Sequence, residues 1–315
     1  MPEVAHERAL AKLTRSLEVL GRRADGYHLL RAEMVTLDFG DLLEIEPLDD
    51  QGQDRRGPGP GESRLEILDE VAWSGAERGS PWGGELPLGA RPESPPGPSP
   101  AAPAVPLGAD NLVLRALSLA GRRARVRLHK RIPAGAGLGG GSADAAAVLR
   151  WAGVADLLAG ARLGADVPFC MVGGRALVGG VGEQVEDLEP DDACYLCCTP
   201  AFGVSTPLVY RAFDELGKGA LAGRRAGAND LEPAAVAVEP RLALVRDLLA
   251  EVTGLVPSLA GSGSTWFVEC DSRTSWGLAR QLAEAVAERR ARASINIGRT
   301  VPTYAALRAS AGSAG

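Results

Sequence analysis

Residues 133–149 read PAGAGLGGGSADAAAVL, and the reading of this stretch decides the fold. Five glycines fall in the seven positions from Gly135 to Gly141. Glycine loses more backbone freedom on folding than any other residue, so such density is kept where the chain turns with φ > 0 or lies close against a ligand. Ser142 then opens a run of helix formers, Ala143 to Leu149, interrupted by Asp144 alone. Serine is a good N-cap and aspartate is favoured in a first turn. The expectation is strand, glycine loop, helix N-terminus, with Ser142 opening the helix. Such an arrangement aims free backbone N–H groups at an anion, most often a phosphate.

Several loops share this look. A Walker A loop requires Gly-Lys-Ser/Thr after its glycines, and none follows here. Gly135, Gly137 and Gly140 formally fit the dinucleotide pattern G-x-G-x-x-G. The strand before it, Arg125 to Ile132, argues against that reading. It alternates, with Val126, Leu128 and Ile132 on one face and Arg125, Arg127, His129 and Arg131 on the other. The first strand of a dinucleotide fold is buried on both faces and nearly all apolar, and an acidic residue follows about 20 positions later. A flexible linker is the remaining alternative, but linkers do not usually run straight into an alanine helix.

Outward from the loop, the totals set bounds. A chain of 315 residues holds one large or two ordinary domains. A net charge of −6 argues against a general nucleic-acid binder. The first 20 residues carry His6, Glu7, Arg8, Lys12 and Arg15, which no signal peptide would. No apolar run reaches the ~18 residues a membrane span needs. The expectation is a soluble cytoplasmic protein. Cys194, Cys197 and Cys198 form a CxxCC run, but no second CxxC exists and the three histidines lie far off, so buried reduced thiols are expected rather than zinc. Only three of the 34 basic residues are lysine: Lys12, Lys130 and Lys218. Lysine kept against such an arginine bias marks candidates for a compact charge.

Along the chain, Lys12 sits among Leu10, Ala11 and Leu13, and Asp25-Gly26 is a turn signal presenting Tyr27 and His28. Residues 31–46 read as two strands joined at Asp38 to Asp41. Residues 49–109 are rich in Gly and Pro and read as an expanded surface loop, disordered in part, with a short strand or turn of helix at Arg64 to Trp73. Asp110 is a fair N-cap for a helix from Asn111 to about Gly121. Asp166, in LGADVPF, stands at a loop-to-helix junction where an N-capping role competes with a chemical one. Gly173 to Leu188 reads as a hairpin. The second half begins near Cys194. It holds an amphipathic helix at Leu242 to Leu255, a small-residue loop AGSGSTWF at 260–267, a helix at Trp276 to Arg292 and a strand at Ile295 to Val301.

PAGAGLGGGSAD resembles the phosphate loop of the GHMP kinases, the superfamily of galactokinase, homoserine kinase and mevalonate kinase. With AKLT, GRRADGYH and LDFGD near the start, the chain is similar to the branch that phosphorylates 4-diphosphocytidyl-2-C-methyl-D-erythritol. The resemblance implies an α+β fold: a first domain, residues 1–190, like ribosomal protein S5 domain 2, and a ferredoxin-like second domain, residues 191–315, with the site between them. It implies ATP and Mg²⁺ as cofactors, a small cytidine diphosphate-linked polyol as substrate, and neither a nucleic-acid nor a membrane partner. Lys12 and Asp166 match catalytic positions. Pro133, Gly135, Ala136, Gly137, Leu138, Gly139, Gly140, Gly141 and Ser142 match the ATP loop, with Ser142 near the metal. Asn111 matches an adenine-side asparagine and Lys130 a nucleotide-side lysine. Tyr27 and His28 match the pair that holds cytosine, and Tyr210 the aromatic on its opposite side. Gly261, Ser262 and Gly263 match a loop closing over the substrate. The sequence departs from the family pattern at Thr14, where an asparagine contacting the polyol is usual, and in the short segment Trp151 to Arg162, where a helix is usual. Those departures keep another small alcohol in play as substrate, and a non-catalytic nucleotide-binding homologue is the alternative from another class.

Overall fold

The computed structural model describes residues 4–48, 63–72, 74–75, 105–217 and 228–307. Two long antiparallel strands, β1 (Ala5–Arg22) and β2 (His28–Pro47), form its axis. The turn between them places Gly26 at φ 92, a conformation that suits glycine. Ala9 to Thr14 of β1 are all buried, whereas alternation returns after Leu17. An uninterrupted buried run means that both faces of the strand are covered there.

Residues 31–46 are one strand, not two joined at Asp38 to Asp41. Leu10 pairs with Gly40 but Lys12 pairs with Thr36, so β2 bulges between those partners. The bulged residues are held by the far end of the chain. Leu37 bridges Thr300, the Asp38 carboxylate accepts the Arg299 N–H at 2.9 Å, and Val301 N–H donates to the Thr36 carbonyl at 3.0 Å.

The first sheet has the order β3-β5-β2-β6-β7, with β1 also paired to β2. Here β3 is Arg64–Asp69, β5 Ala124–Lys130, β6 Arg175–Gly180 and β7 Gln184–Asp187. Strand β3 lies parallel to β5, within the stretch Arg64 to Trp73 expected as a short strand or turn of helix. Most of residues 49–109 lie outside the described residues. Helix α2 (Gly140–Trp151) lies along β1 and packs between α1 (Leu112–Leu119) and α4 (Val167–Val172). Ala143 and Ala145 to Leu149 of α2 are fully buried; small side chains let the helix approach the strands closely. The segment before α4 keeps only a short helix, α3 (Leu157–Ala161).

Two caps differ from expectation. Asn111, not Asp110, caps α1, its Oδ1 accepting the Val113 N–H at 2.8 Å. Helix α2 starts at Gly140 after a left-handed Gly139, which puts Ser142 inside the first turn.

The second sheet has the order β4-β11-β8-β10-β9. Its strands are β4 (Ser74–Gly75), β8 (Cys194–Pro200), β9 (Ser258–Leu259), β10 (Trp266–Glu269) and β11 (Arg292–Arg299). Helices α5 (Thr206–Leu216), α6 (Glu232–Val238), α7 (Arg241–Thr253) and α8 (Ser275–Glu288) accompany it. All seven residues of the central strand β8 are buried. Its cysteines are free thiols, and burial pushes Cys198 up to about 12. Among the described residues no group of three or more His, Cys, Asp or Glu is placed to hold a metal, and no helix is long and apolar enough to cross a membrane.

Candidate active site

A cavity of about 660 Å³ lies where the glycine loop, β1 and the loop before β10 meet. The loop's alternation is conformational. Gly135, Gly137 and Gly139 have φ of 70, 77 and 69, while Ala136 and Leu138 between them bury their side chains. The two intervening carbonyls stitch the loop down: Leu138 accepts the Lys12 N–H at 3.0 Å and Ala136 the Thr265 N–H at 3.1 Å. Two glycines are also required by space. A Cβ on Gly139 would lie 2.6 Å from Lys12 Cγ, and one on Gly137 would lie 2.3 Å from the Ala260 carbonyl oxygen. The first-turn N–H groups of a helix have no carbonyl one turn back to bond. Those of α2 belong to Gly140, Gly141 and Ser142, all of which line the cavity. Pro133 and Ala136 line it too.

Lys12 is buried, and its ammonium lies 3.2 Å from Asp166 Oδ2 and donates to Thr14 Oγ1 at 3.1 Å. Asp166 stands at the N-terminus of α4 but makes no side-chain cap bond, so its carboxylate is left to Lys12 and the cavity. Its side chain is 31% exposed, open enough to meet a substrate. Thr14, at the position where the family asparagine is usual, is buried and holds the lysine.

Lys130 also lines the cavity, but its charge is engaged. The ammonium donates to Asp144 Oδ2 at 2.9 Å and, closer still, to Asp41 Oδ2. Burial pulls the lysine down, and the two carboxylates outweigh it, holding Lys130 above the ordinary lysine value. Asp144 is pushed up to about 7 by burial, against the opposing pull of Lys130. Its Oδ1 has no hydrogen-bond partner. Asp41 also anchors the main chain. Its Oδ1 accepts the N–H groups of Arg131 at 2.6 Å and Ile132 at 2.8 Å, fixing the backbone that enters the glycine loop.

Gly261, Ser262 and Gly263 close the opposite wall. Asn229 shapes this loop, its Nδ2 donating to the carbonyls of Leu259 at 2.8 Å and Gly261 at 2.5 Å. Ser262 shares a 2.7 Å hydrogen bond with Thr206. Tyr210 lines the cavity from α5, and the His28 ring stacks on it at 4.8 Å with 24° between planes.

The structure therefore brings together Lys12, Thr14, Asp166, the glycine loop, Lys130, Asn111, the 261–263 loop and Tyr210. Asn111 lines the wall with its amide engaged at both ends, since Nδ2 also donates to the Pro106 carbonyl at 2.7 Å. Tyr27 is not brought in: the Asp25-Gly26 turn leaves it 66% exposed. Sequence reasoning misses Asp41, Asp144 and Asn229 as parts of the site. In the sequence Asp41 reads as a turn residue. The one available signal for the acids is the rarity of Lys130, because a buried ammonium demands carboxylates.

Residues 111–174 match the family profile described as the GHMP kinases N terminal domain. The chain is 34% identical over 313 residues to a 4-diphosphocytidyl-2-C-methyl-D-erythritol kinase of Paracoccus denitrificans, covering 95% of each chain. It is 38% identical over 289 residues to one of Xanthomonas euvesicatoria pv. vesicatoria, covering 85% of this chain and 82% of that one. A crystal structure of 4-(cytidine 5'-diphospho)-2C-methyl-D-erythritol kinase superimposes with a TM-score of 0.63 at 30% identity, over 94% of this chain and 98% of the other. By its α+β fold, its glycine loop and its full-length likeness to these relatives, the chain belongs to the 4-diphosphocytidyl-2-C-methyl-D-erythritol kinase family of the GHMP kinases.

Proposed function

We propose that this protein, a soluble cytoplasmic enzyme with lobes at residues 1–190 and 191–315, transfers the γ-phosphoryl group of ATP to the 2-hydroxyl of 4-diphosphocytidyl-2-C-methyl-D-erythritol. The observation that carries the reading is the Lys12–Asp166 pair, 3.2 Å apart in the same cavity as a glycine-built helix N-terminus. An alcohol is a poor nucleophile at neutral pH. Asp166 accepts the hydroxyl proton as the oxygen bonds to the γ-phosphorus and the bond to the β–γ bridging oxygen breaks, releasing ADP. Lys12 holds Asp166 through Oδ2, leaving Oδ1 for the proton, and its charge offsets that of the moving phosphoryl group. The N–H groups at the start of α2 cradle the ATP phosphates. Gly261 to Gly263 complete the wall on the other side.

The site fits a Mg²⁺ ion delivered with the nucleotide rather than a resident one. Among the described residues there is no cluster of acidic or nitrogen ligands, yet Ser142 and Asp144 line the cavity beside the loop and Asp144 Oδ1 lacks a partner. Such an ion offsets the charge of the phosphates.

The test is a coupled ADP-release assay with 4-diphosphocytidyl-2-C-methyl-D-erythritol, and with mevalonate, homoserine and galactose as controls. Selective turnover of the cytidylyl compound is expected. Turnover of another alcohol in its place would reassign the substrate, and ATP binding with no turnover of any would favour the non-catalytic homologue.

A further inference from the structure

We infer that Tyr304 is a positioning residue: it clamps Arg150, and Arg150 in turn fixes the separation of Lys12 and Asp166. The inference rests on the phosphoryl-transfer reading above. In its sheet β1 pairs with β2 alone, so the backbone groups along its other edge need partners from elsewhere. Between Arg8 and Lys12 those partners come from three places. The Arg8 carbonyl accepts from Arg150 Nη2 at 2.7 Å, the Leu10 N–H donates to Tyr304 Oη at 3.2 Å, and the Lys12 N–H donates to the Leu138 carbonyl at 3.0 Å. Residues two apart in a strand turn their backbone groups to the same edge, so these contacts form one row that ends at Lys12.

Arg150 also reaches the other member of the pair. It stands in the last turn of α2, and its Nη1 donates to the Cys170 carbonyl of α4 at 2.6 Å. The Cys170 N–H bonds the Asp166 carbonyl at 3.1 Å, one helical turn back. One guanidinium thus ties the strand that carries Lys12 to the helix that Asp166 begins. Its fork is planar and rigid, so the two bonds hold the two carbonyls at a set distance. Tyr304 keeps the fork in place. The guanidinium carbon lies over the Tyr304 ring, 3.6 Å from its centroid, and the buried Arg150 Nε has no hydrogen-bond partner. An arginine freed from that ring regains rotamer freedom, and its grip on both carbonyls loosens. The ring has a built seat. A Cβ on Gly173 would lie 2.8 Å from Tyr304 Cδ2, Thr303 bridges Gly173, and the Val301 N–H bonds the carbonyl of Thr36, the residue opposite Lys12 on β2.

The experiment uses the full chain with Tyr304→Leu, which removes ring and hydroxyl, and Tyr304→Phe, which removes the hydroxyl alone. Each is made in the wild type and in Asp166→Asn. The readouts are kcat and KM for ATP, at a temperature where the Tm shows each variant folded. In Tyr304→Leu kcat is expected to fall about tenfold or more with KM for ATP little changed, because a misplacement of ~1 Å at reacting groups costs up to about 10²-fold. The proportional loss should be clearly smaller in the Asp166→Asn background, where the separation no longer matters to a proton acceptor. A merely structural role would lower Tm and scale both backgrounds alike. Tyr304→Phe keeps the ring on Arg150 but strips the buried Leu10 N–H of this partner, so it should show the same pattern with a smaller loss; it decides the matter if Tyr304→Leu does not fold. An unchanged kcat in the folded variants, or equal proportional losses in both backgrounds, overturns the role of Tyr304 and leaves the phosphoryl-transfer reading standing. A near-wild-type rate in Asp166→Asn itself overturns that reading and this inference with it.

Discussion

Neutralising Lys12 tests whether it and Asp166 act as one unit. At 3.2 Å, with an effective dielectric of ~20, the gross attraction between the two charges is roughly 5 kcal/mol. Asp166 is about a third exposed, so water screens the pair and much of that figure is lost in solution. A retained effect of ~1.5–3 kcal/mol on the barrier corresponds to roughly 10- to 100-fold in kcat. Lys12→Met preserves the stem that packs against Gly139 and removes the ammonium, with its charge and its hydrogen bond to Thr14. The assay is steady-state ADP release by Lys12→Met, Asp166→Asn and the double variant, with ATP binding followed separately. Lys12→Met is expected to lose roughly 10- to 100-fold in kcat and Asp166→Asn about 10²-fold or more. The part of the Lys12 effect that works through the carboxylate should vanish in the Asp166→Asn background, so the double variant should lose clearly less than the product of the two single losses. Losses that multiply would refute the pair. A near-wild-type rate in Asp166→Asn would remove the general base.

Two further outcomes follow from the cavity walls. In Gly137→Ala the new methyl would meet the backbone oxygens of Ala260 and Gly263 at 2.3 and 2.7 Å, at a φ of 77 that itself costs about 1–2 kcal/mol. The two loops must part, so KM for ATP should rise about tenfold and Tm should fall by ~2–4 °C per kcal/mol lost; unchanged values of both would show that the loops do not pack this way. Asp144 binds its proton more tightly folded, at about 7, than at its ordinary 3.8, so between roughly pH 4 and 7 the folded state holds more protons than the unfolded one and its stability contribution falls as pH rises. Asp144→Asn mimics the protonated acid at every pH. The Tm of the wild type relative to this variant should therefore decline from about pH 4.5 to about 7.5 in a calorimetric series, and a flat difference would refute the shift.

Much of the site is legible in local pattern. Glycine density needs only neighbouring residues to be read, and the three alternating positive φ values fall inside the stretch that carries it. The Asp25-Gly26 turn, the alternating strand before the loop and the buried cysteine strand are likewise visible, because each is written in residue types within a few positions. The reading of Asp38 to Asp41 as a turn fails for the opposite reason. Gly40 and Asp41 pair with Leu10 and Ala9 of β1 and the Asp38 carboxylate accepts the Arg299 N–H of β11, so a turn-like composition serves a bulge instead. Asn111 displaces Asp110 as a cap, although either side chain is competent in sequence, because the helix begins one residue later than expected.

The sequence by itself determined the family resemblance and the position of the glycine loop, since these follow from residue types at short spacing, and through that resemblance it singled out Lys12 and Asp166 as the proposed catalytic pair. Only the tertiary structure decided what those residues lean on. Lys130 and Asp41, 89 positions apart, meet because β2 and β5 pair, and Asn229 reaches the carbonyls of Gly261 and Leu259 because two loops close on each other. The need to neutralise a charge or satisfy a carbonyl arises from burial, and burial is set by how distant segments pack. No one-dimensional pattern carries that information, so the supports of the site become visible only once the chain has folded around it.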